Sequence, residues 1–175
     1  MKRWIALAPV AVLLGLGALF AGSALRHDPH YEPAALVGQP LPDETLAPLD
    51  GGAAVELKAA APPGTLVNFF AYWCAPCQQE QPVLMALKAQ GVRVIGIVSP
   101  WRYSAEATHA MLNRGGNPYA ATLIDRDGRA GLDFGVAGVP ETFVVGPNGR
   151  IAAKVALPLT PASAEALLEY AAPQR

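Results

Sequence analysis

The chain has 175 residues, a formal net charge of −1, 52% hydrophobic residues and two cysteines. That length suits one ordinary domain with a real core plus an appendage. The scattered basic residues exclude the electrostatic footprint of a nucleic-acid binder.

The appendage comes first. Met1-Lys2-Arg3 is a basic start, and Trp4 to Leu25 runs without a charge before Arg26-His27-Asp28. About 20 apolar residues suffice to cross a bilayer, and Lys2 and Arg3 would hold the N-terminus in the cytoplasm with the rest outside. Ala21-Gly22-Ser23 offers the small residues of a signal-peptidase site, but the run exceeds the usual ~7–15 residue signal core. An uncleaved signal-anchor over residues 1–26 is therefore preferred to a cleaved signal peptide, and either one exports the domain. Residues 27–38, opening His27-Asp28-Pro29-His30-Tyr31-Glu32-Pro33, have the proline-rich polar composition of a spacer. His27 and His30 read as solvated linker residues, with no cysteine or third histidine nearby to complete a metal site.

The domain proper is expected over 39–175. Leu46 to Leu49 and Ala53 to Leu57, around Asp50-Gly51-Gly52, predict a short hairpin, and Ala59 to Gly64 an Ala/Pro loop. Thr65-Leu66-Val67-Asn68-Phe69-Phe70-Ala71 reads as a buried strand. It runs into Trp73-Cys74-Ala75-Pro76-Cys77, which holds both cysteines of the chain, and a helix follows over about Pro76 to Gln90. Pro76 sits in the first turn, where a missing N–H costs nothing; Gly91 ends the helix; Pro82 is expected to kink it. Val92 to Val98 is apolar enough for a central strand covered on both faces. Ser104 caps a second helix reaching about Asn113, with Gly115-Gly116 beyond it. Tyr119 to Ile124 is the next strand. Asp125-Arg126-Asp127-Gly128 resembles the opening of a calcium loop, but Arg129 stands where another oxygen ligand belongs, so a turn is expected. Thr142 to Val145 and Ile151 to Val155 flank Asn148-Gly149, a strong hairpin signal, and Thr160-Pro161 opens a last helix to about Ala171. Alternating strands and helices followed by an antiparallel pair predict an α/β fold, a mixed sheet with helices on both faces.

Strand, CxxC and helix in succession are the setting of a redox dithiol. The attacking sulfur must be a thiolate. Cys74 lies where the free N–H groups and positive dipole end of the helix favour an anion, and it is expected to be the more exposed of the two. It is assigned as nucleophile and Cys77 as the resolving thiol. Structural zinc takes four ligands, and the two cysteines stand alone. Copper on the same two thiolates remains a second chemistry, whereas a purely structural disulfide would close too small a loop to remove much chain entropy.

The stretch from Asn68 through Trp73, Cys74, Pro76, Cys77 and Glu80 to Pro82 resembles the thioredoxin-like extracytoplasmic reductases. Gly115-Gly116-Asn117-Pro118-Tyr119, Leu132-Asp133-Phe134-Gly135-Val136-Ala137-Gly138-Val139-Pro140-Glu141-Thr142-Phe143 and Leu36-Val37-Gly38-Gln39-Pro40-Leu41-Pro42 narrow the likeness. They resemble the membrane-anchored thiol:disulfide interchange proteins of cytochrome c maturation (the DsbE/CcmG type), over nearly the whole chain from residue 36.

The resemblance implies a thioredoxin-like fold with an N-terminal hairpin extension and a single N-terminal transmembrane helix. It implies a cis-proline loop at Val139-Pro140 facing the Cys74/Cys77 redox disulfide. Glu80 and Glu141 match acidic positions near the dithiol, able to raise a cysteine pKa or shuttle protons. Asn68 stands where thioredoxin has a buried aspartate, which shifts proton handling onto the glutamates. Trp73 and Tyr72 fall between core and the apolar rim of the site. Ser99-Pro100-Trp101-Arg102-Tyr103 departs from the usual family loop. The implied activity is a protein-disulfide reductase in the periplasm, held in the inner membrane and needing no cofactor or metal. Its clients would be apocytochrome c (CxxCH) or maturation-complex subunits, and its electrons would come from a membrane dithiol donor of the DsbD/CcdA type. An extracytoplasmic disulfide oxidant or isomerase, or a copper-binding assembly module, are the competing readings.

Overall fold

The computed structural model describes residues 12–18 and 36–171. Residues 12–18 are helical and belong to a unit separate from the domain. The rest of the expected anchor, and His27 and His30 in the spacer, lie outside the described residues. Among the described residues no helix is long and apolar enough to cross a membrane.

The domain is built on one seven-stranded mixed sheet. Its strands in chain order are β1 (Thr45–Pro48), β2 (Val55–Glu56), β3 (Leu66–Phe70), β4 (Val94–Val98), β5 (Ala121–Ile124), β6 (Glu141–Val145) and β7 (Ile151–Val155). In space they run β2-β1-β5-β4-β3-β6-β7. β3, β4 and β5 are parallel, while β1 pairs antiparallel with β5 and β6 antiparallel with β3 and β7. The helices are α1 (Leu57–Ala60), α2 (Ala75–Ala89), α3 (Ala105–Gly115), α4 (Arg129–Asp133) and α5 (Pro161–Ala171).

Every residue of β3, β4 and β6 is buried, because side chains alternate between two covered faces. Leu66, Phe70, Val94, Val98, Ile124 and Val144 pack against Leu84 and Leu87 of α2, Met111 and Leu112 of α3, and Leu167 of α5. The alternate residues Val67, Phe69, Ile95, Ile97, Leu123, Phe143 and Val145 pack on the other face against Leu57 and Ala60 of α1 and Ala130 of α4. There Phe69, Phe134 and Phe143 form a three-ring cluster with centroids 5.0–5.8 Å apart. Each such tilted or edge-on pair adds about 0.5–1.5 kcal/mol to the area its rings bury.

The expected order of strands and helices is present, with two additions. α1 and α4 are single turns of four and five residues, too short to show a 3.6-residue apolar period. The Asp125–Gly128 segment is a turn, as expected. Its acids serve backbone donors: Asp125 accepts from Ala130 and Gly131 N–H at 3.2 and 2.8 Å, and Asp127 from Arg129 N–H at 3.1 Å. These bonds start α4. α2 continues unbroken past Pro82.

Candidate active site

β3 ends at Phe70, and the chain turns through Ala71, Tyr72 and Trp73 to deliver Cys74 as the N-cap of α2. Cys74 and Cys77 are joined as a disulfide. The Cys77 N–H donates to Cys74 Sγ at 3.1 Å, one of the donors that a helix start leaves without an intrahelical partner. Pro76, in the first turn and exposed, removes one further donor that has no helical role. The exposure expected to mark out Cys74 is not there: Cys74 and Cys77 are 3% and 2% exposed. What distinguishes the two sulfurs is the helix terminus, since only Cys74 Sγ occupies the capping position.

The facing wall is the Val139-Pro140 loop, whose peptide bond is cis. The Val139 carbonyl oxygen lies 3.5 Å from Cys74 Sγ. Val139 is half-buried and Pro140 buried, so the loop meets the dithiol with backbone and one valine side chain.

Under α2 lies a closed polar network. Asn68, central in β3 and fully buried, donates from Nδ2 to Glu80 Oε1 at 2.9 Å and to Thr142 Oγ1 at 3.0 Å. Its Oδ1 accepts the Tyr119 hydroxyl at 2.8 Å. The second Glu80 oxygen accepts the Leu159 N–H at 2.8 Å. Glu80 is 1% exposed, one helical turn beyond Cys77. Burial raises its pKa above the ordinary carboxylate value, against the two hydrogen bonds that lower it. Tyr119 is likewise pushed well up, by burial first and then by Glu80. An amide at position 68 cannot titrate, so Glu80 is the ionisable carboxyl of this network and Asn68 orients it.

The local sequence explains how Tyr119 arrives there. Lys88 Nζ donates to the Asn117 carbonyl, Gln81 Nε2 to the Gly116 carbonyl, and Tyr119 N–H to Asn117 Oδ1, at 2.7, 2.6 and 3.0 Å. The Gly-Asn-Pro-Tyr segment is thereby tied to α2. The Tyr119 ring stacks on Phe70 at 4.7 Å and lies flat over Gly96, where a Cβ would come 2.7 Å from the ring. Glycine inside an apolar strand marks such a close approach.

Glu141 requires a correction. It was expected beside the dithiol, but β6 alternation sends its side chain to the α4 face with Phe143 and Val145, opposite α2. Its Oε1 accepts Ala137 and Gly138 N–H at 2.9 and 3.3 Å, and Lys154 Nζ sits 2.9 Å from Oε2. Lys154 also donates to the Gly135 carbonyl at 2.9 Å and lies 5.3 Å from the Phe143 ring centre. Glu141 therefore clamps the 135–138 backbone that leads into Val139. Lys154, Thr142 and the Tyr119 hydroxyl escaped sequence reasoning. The signals were a single lysine within Ile-Ala-Ala-Lys-Val and a glycine within Val-Ile-Gly-Ile-Val.

Trp73, half-buried, donates from Nε1 to the Trp101 carbonyl at 2.9 Å, and the two rings meet edge-on with centroids 4.7 Å apart. Among the described residues no group of three or more His, Cys, Asp or Glu side chains is placed to hold a metal ion. What the arrangement can do is thiol–disulfide exchange: a thiolate at Cys74 would be held by a helix terminus, with a second thiol one turn along to displace whatever it binds.

Comparison with known proteins agrees with this geometry. Residues 36–168 match the Redoxin family. The thiol:disulfide interchange protein HelX of Rhodobacter capsulatus is 38% identical over 162 residues, covering 91% of this chain and 90% of the relative. The thiol:disulfide interchange protein DsbE of Escherichia coli is 36% identical over 167 residues, covering 92% and 89%. Among solved structures, Mycobacterium tuberculosis dsbF superposes with a TM-score of 0.65 at 20% identity, over 74% of this chain and 96% of that one. StoA from Bacillus subtilis does so with a TM-score of 0.59 at 16% identity, over 74% and 96%; both share the fold. With the CxxC disulfide at the head of α2, these matches place the chain in the Redoxin family, as a thiol:disulfide interchange protein of the DsbE/HelX type.

Proposed function

We propose that the protein is a periplasmic reductase of cytochrome c maturation, anchored in the inner membrane by residues 1–26. The observation that carries the assignment to a protein client is the Cys74 sulfur held between the α2 N-terminus and the Val139 carbonyl, 3.5 Å away. A backbone carbonyl beside a nucleophile suits an extended polypeptide. The uncharged run from Trp4 to Leu25 supports the compartment, and the relatives named as thiol:disulfide interchange proteins support a disulfide as the group acted on.

In the proposed reaction the Cys74 thiolate attacks one sulfur of the client disulfide. The client S–S bond breaks, a Cys74–client bond forms, and the leaving client sulfur takes a proton. Cys77, losing its proton, then attacks Cys74 Sγ and releases the second client thiol. The client gains two electrons, and the protein ends as the Cys74–Cys77 disulfide seen here. A membrane dithiol donor of the DsbD/CcdA type would reduce it again. Glu80, buried one turn beyond Cys77, would take part in that proton movement.

The test is to mix the reduced protein with an oxidised apocytochrome c CxxCH segment and count thiols on both by alkylation and mass spectrometry. Transfer of both electrons to the segment is expected. A client left oxidised, with a protein potential near the about −120 mV of strong oxidants rather than toward the about −270 mV of thioredoxin, would sink the reductive assignment.

A further inference from the structure

A cavity of about 390 Å³ opens directly beside the redox site. Trp73 and Val139 belong to both: each lines the cavity, Trp73 precedes Cys74 in the chain, and Val139 O lies 3.5 Å from Cys74 Sγ. Phe69, Leu132 and Val136 supply apolar lining. The one carboxylate in the lining, Asp125, is buried and already accepts the Ala130 and Gly131 N–H groups, so it presents no free charge to an occupant.

The outer wall is Trp101, 63% exposed. A large apolar ring is held in water here by two devices. Its carbonyl accepts the Trp73 indole N–H, and its ring meets the Trp73 ring edge-on. Tyr103 N–H donates to the Pro100 carbonyl at 3.2 Å, closing a turn whose third residue, Arg102, has φ +54°. A residue with a side chain rarely adopts that conformation, which persists where the surroundings impose it. Backbone strain and an exposed tryptophan thus coincide on the lip of an apolar cavity that shares Trp73 and Val139 with the redox site.

We propose that Trp101, with Trp73 and the cavity behind them, is a specificity subsite that takes a large apolar side chain of the client polypeptide within two residues of the cysteine attacked by Cys74. This rests on the reductase reading above and adds a sequence preference to it. The occupant follows from continuity: a segment whose disulfide reaches Cys74 passes the mouth of the cavity. An apolar residue there loses water against Phe69, Leu132 and the two indoles, and Ser99 is the one hydroxyl the lining offers to a polar one. Hydrophobic pockets discriminate by about 10–200-fold for a missing group.

The test uses two peptides, each closed as a Cys-Xaa-Xaa-Cys-His disulfide and differing only in carrying Leu or Ser at the positions flanking the ring. Rate constants for their reduction by the reduced protein come from acid quench, alkylation and mass spectrometry. The readout is the ratio of the two rates. Wild type is expected to favour the Leu peptide about tenfold or more, W101A to bring the ratio below about threefold, and W101F to retain most of it. L157S, at an exposed apolar residue elsewhere, is expected to keep the wild-type ratio. Equal wild-type rates, or an unchanged ratio in W101A, would overturn the subsite while leaving the reductase reading standing. Failure of the wild type to reduce either peptide would overturn that reading, and the subsite with it.

Discussion

Lys154→Met isolates the clamp behind the Val139 loop. The Lys154 and Glu141 side chains are 8% and 3% exposed, with Nζ and Oε2 2.9 Å apart. Removing the ammonium leaves the carboxylate to the Ala137 and Gly138 N–H groups alone, 2.9 and 3.3 Å away. It also strips the Gly135 carbonyl of its donor. A buried pair broken on one side costs about 3–5 kcal/mol, against about 0–1 kcal/mol for a surface pair. For a domain of this size each kcal/mol lowers Tm by roughly 2–4 °C, so a fall on the order of 10 °C is expected. The assay is urea and thermal unfolding of the oxidised protein in a double-mutant cycle with Glu141→Gln. Glutamine keeps an oxygen for the two backbone donors and removes the charge, so the double variant should recover most of the loss. A Lys154→Met cost below about 1 kcal/mol, or a double variant that merely sums the single losses, would refute the clamp.

Three further outcomes follow from buried groups. Glu44 is raised to about 7, by burial first and then by the Asp133 carboxyl beside it, and Glu80 is raised by burial. Between the ordinary value of 4.5 and these raised ones the folded state binds more protons than the unfolded state. Stability therefore falls as pH rises across about 4.5 to 7, read as the urea midpoint against pH. Glu44→Gln should flatten that decline, and an identical slope in the variant would dismiss Glu44 as its source. Glu80→Gln removes an ionisable carboxyl while keeping acceptor and donor atoms in the network. It is expected to retain the fold and to change the pH dependence of Cys77-dependent release of a mixed disulfide; an unaltered profile would remove Glu80 from proton transfer. Gly96→Ala puts a Cβ 2.7–2.9 Å from three Tyr119 ring atoms, an overpacking worth about 1–3 kcal/mol. An unchanged urea midpoint would show that Tyr119 yields freely.

The strands of this fold are legible because they are buried on both faces. Val94–Val98 and Leu66–Phe70 are apolar whichever way a residue points, and their flanks carry turn residues. The last helix and the β6–β7 hairpin follow from Thr160-Pro161 and Asn148-Gly149, whose side chains and backbone make the expected caps and turn. α1 and α4 are not legible, since a single turn buries one or two side chains and leaves no period. The site divides in the same way. Cys74 and Cys77 announce themselves by spacing, and Val139-Pro140 by resemblance. Which face Glu141 takes depends on the strand register, Phe69 opposite Glu141, and no local pattern records that. Lys154 reaches Glu141 because β7 pairs with β6, with Lys154 opposite Phe143. The Tyr119–Asn68–Glu80 network joins three elements that meet only after the sheet has formed.

The division of labour between the two sulfurs is tested most directly by trapping. Cys77→Ser and Cys74→Ser variants of the full chain, reduced and exposed to an oxidised CxxCH client, are resolved without reducing agent and identified by mass spectrometry. Cys77→Ser is expected to accumulate a mixed disulfide between Cys74 and the client, and Cys74→Ser to accumulate none. A stable adduct on Cys77, or no adduct on either variant while the wild type turns the client over, would contradict attack by the sulfur at the α2 cap.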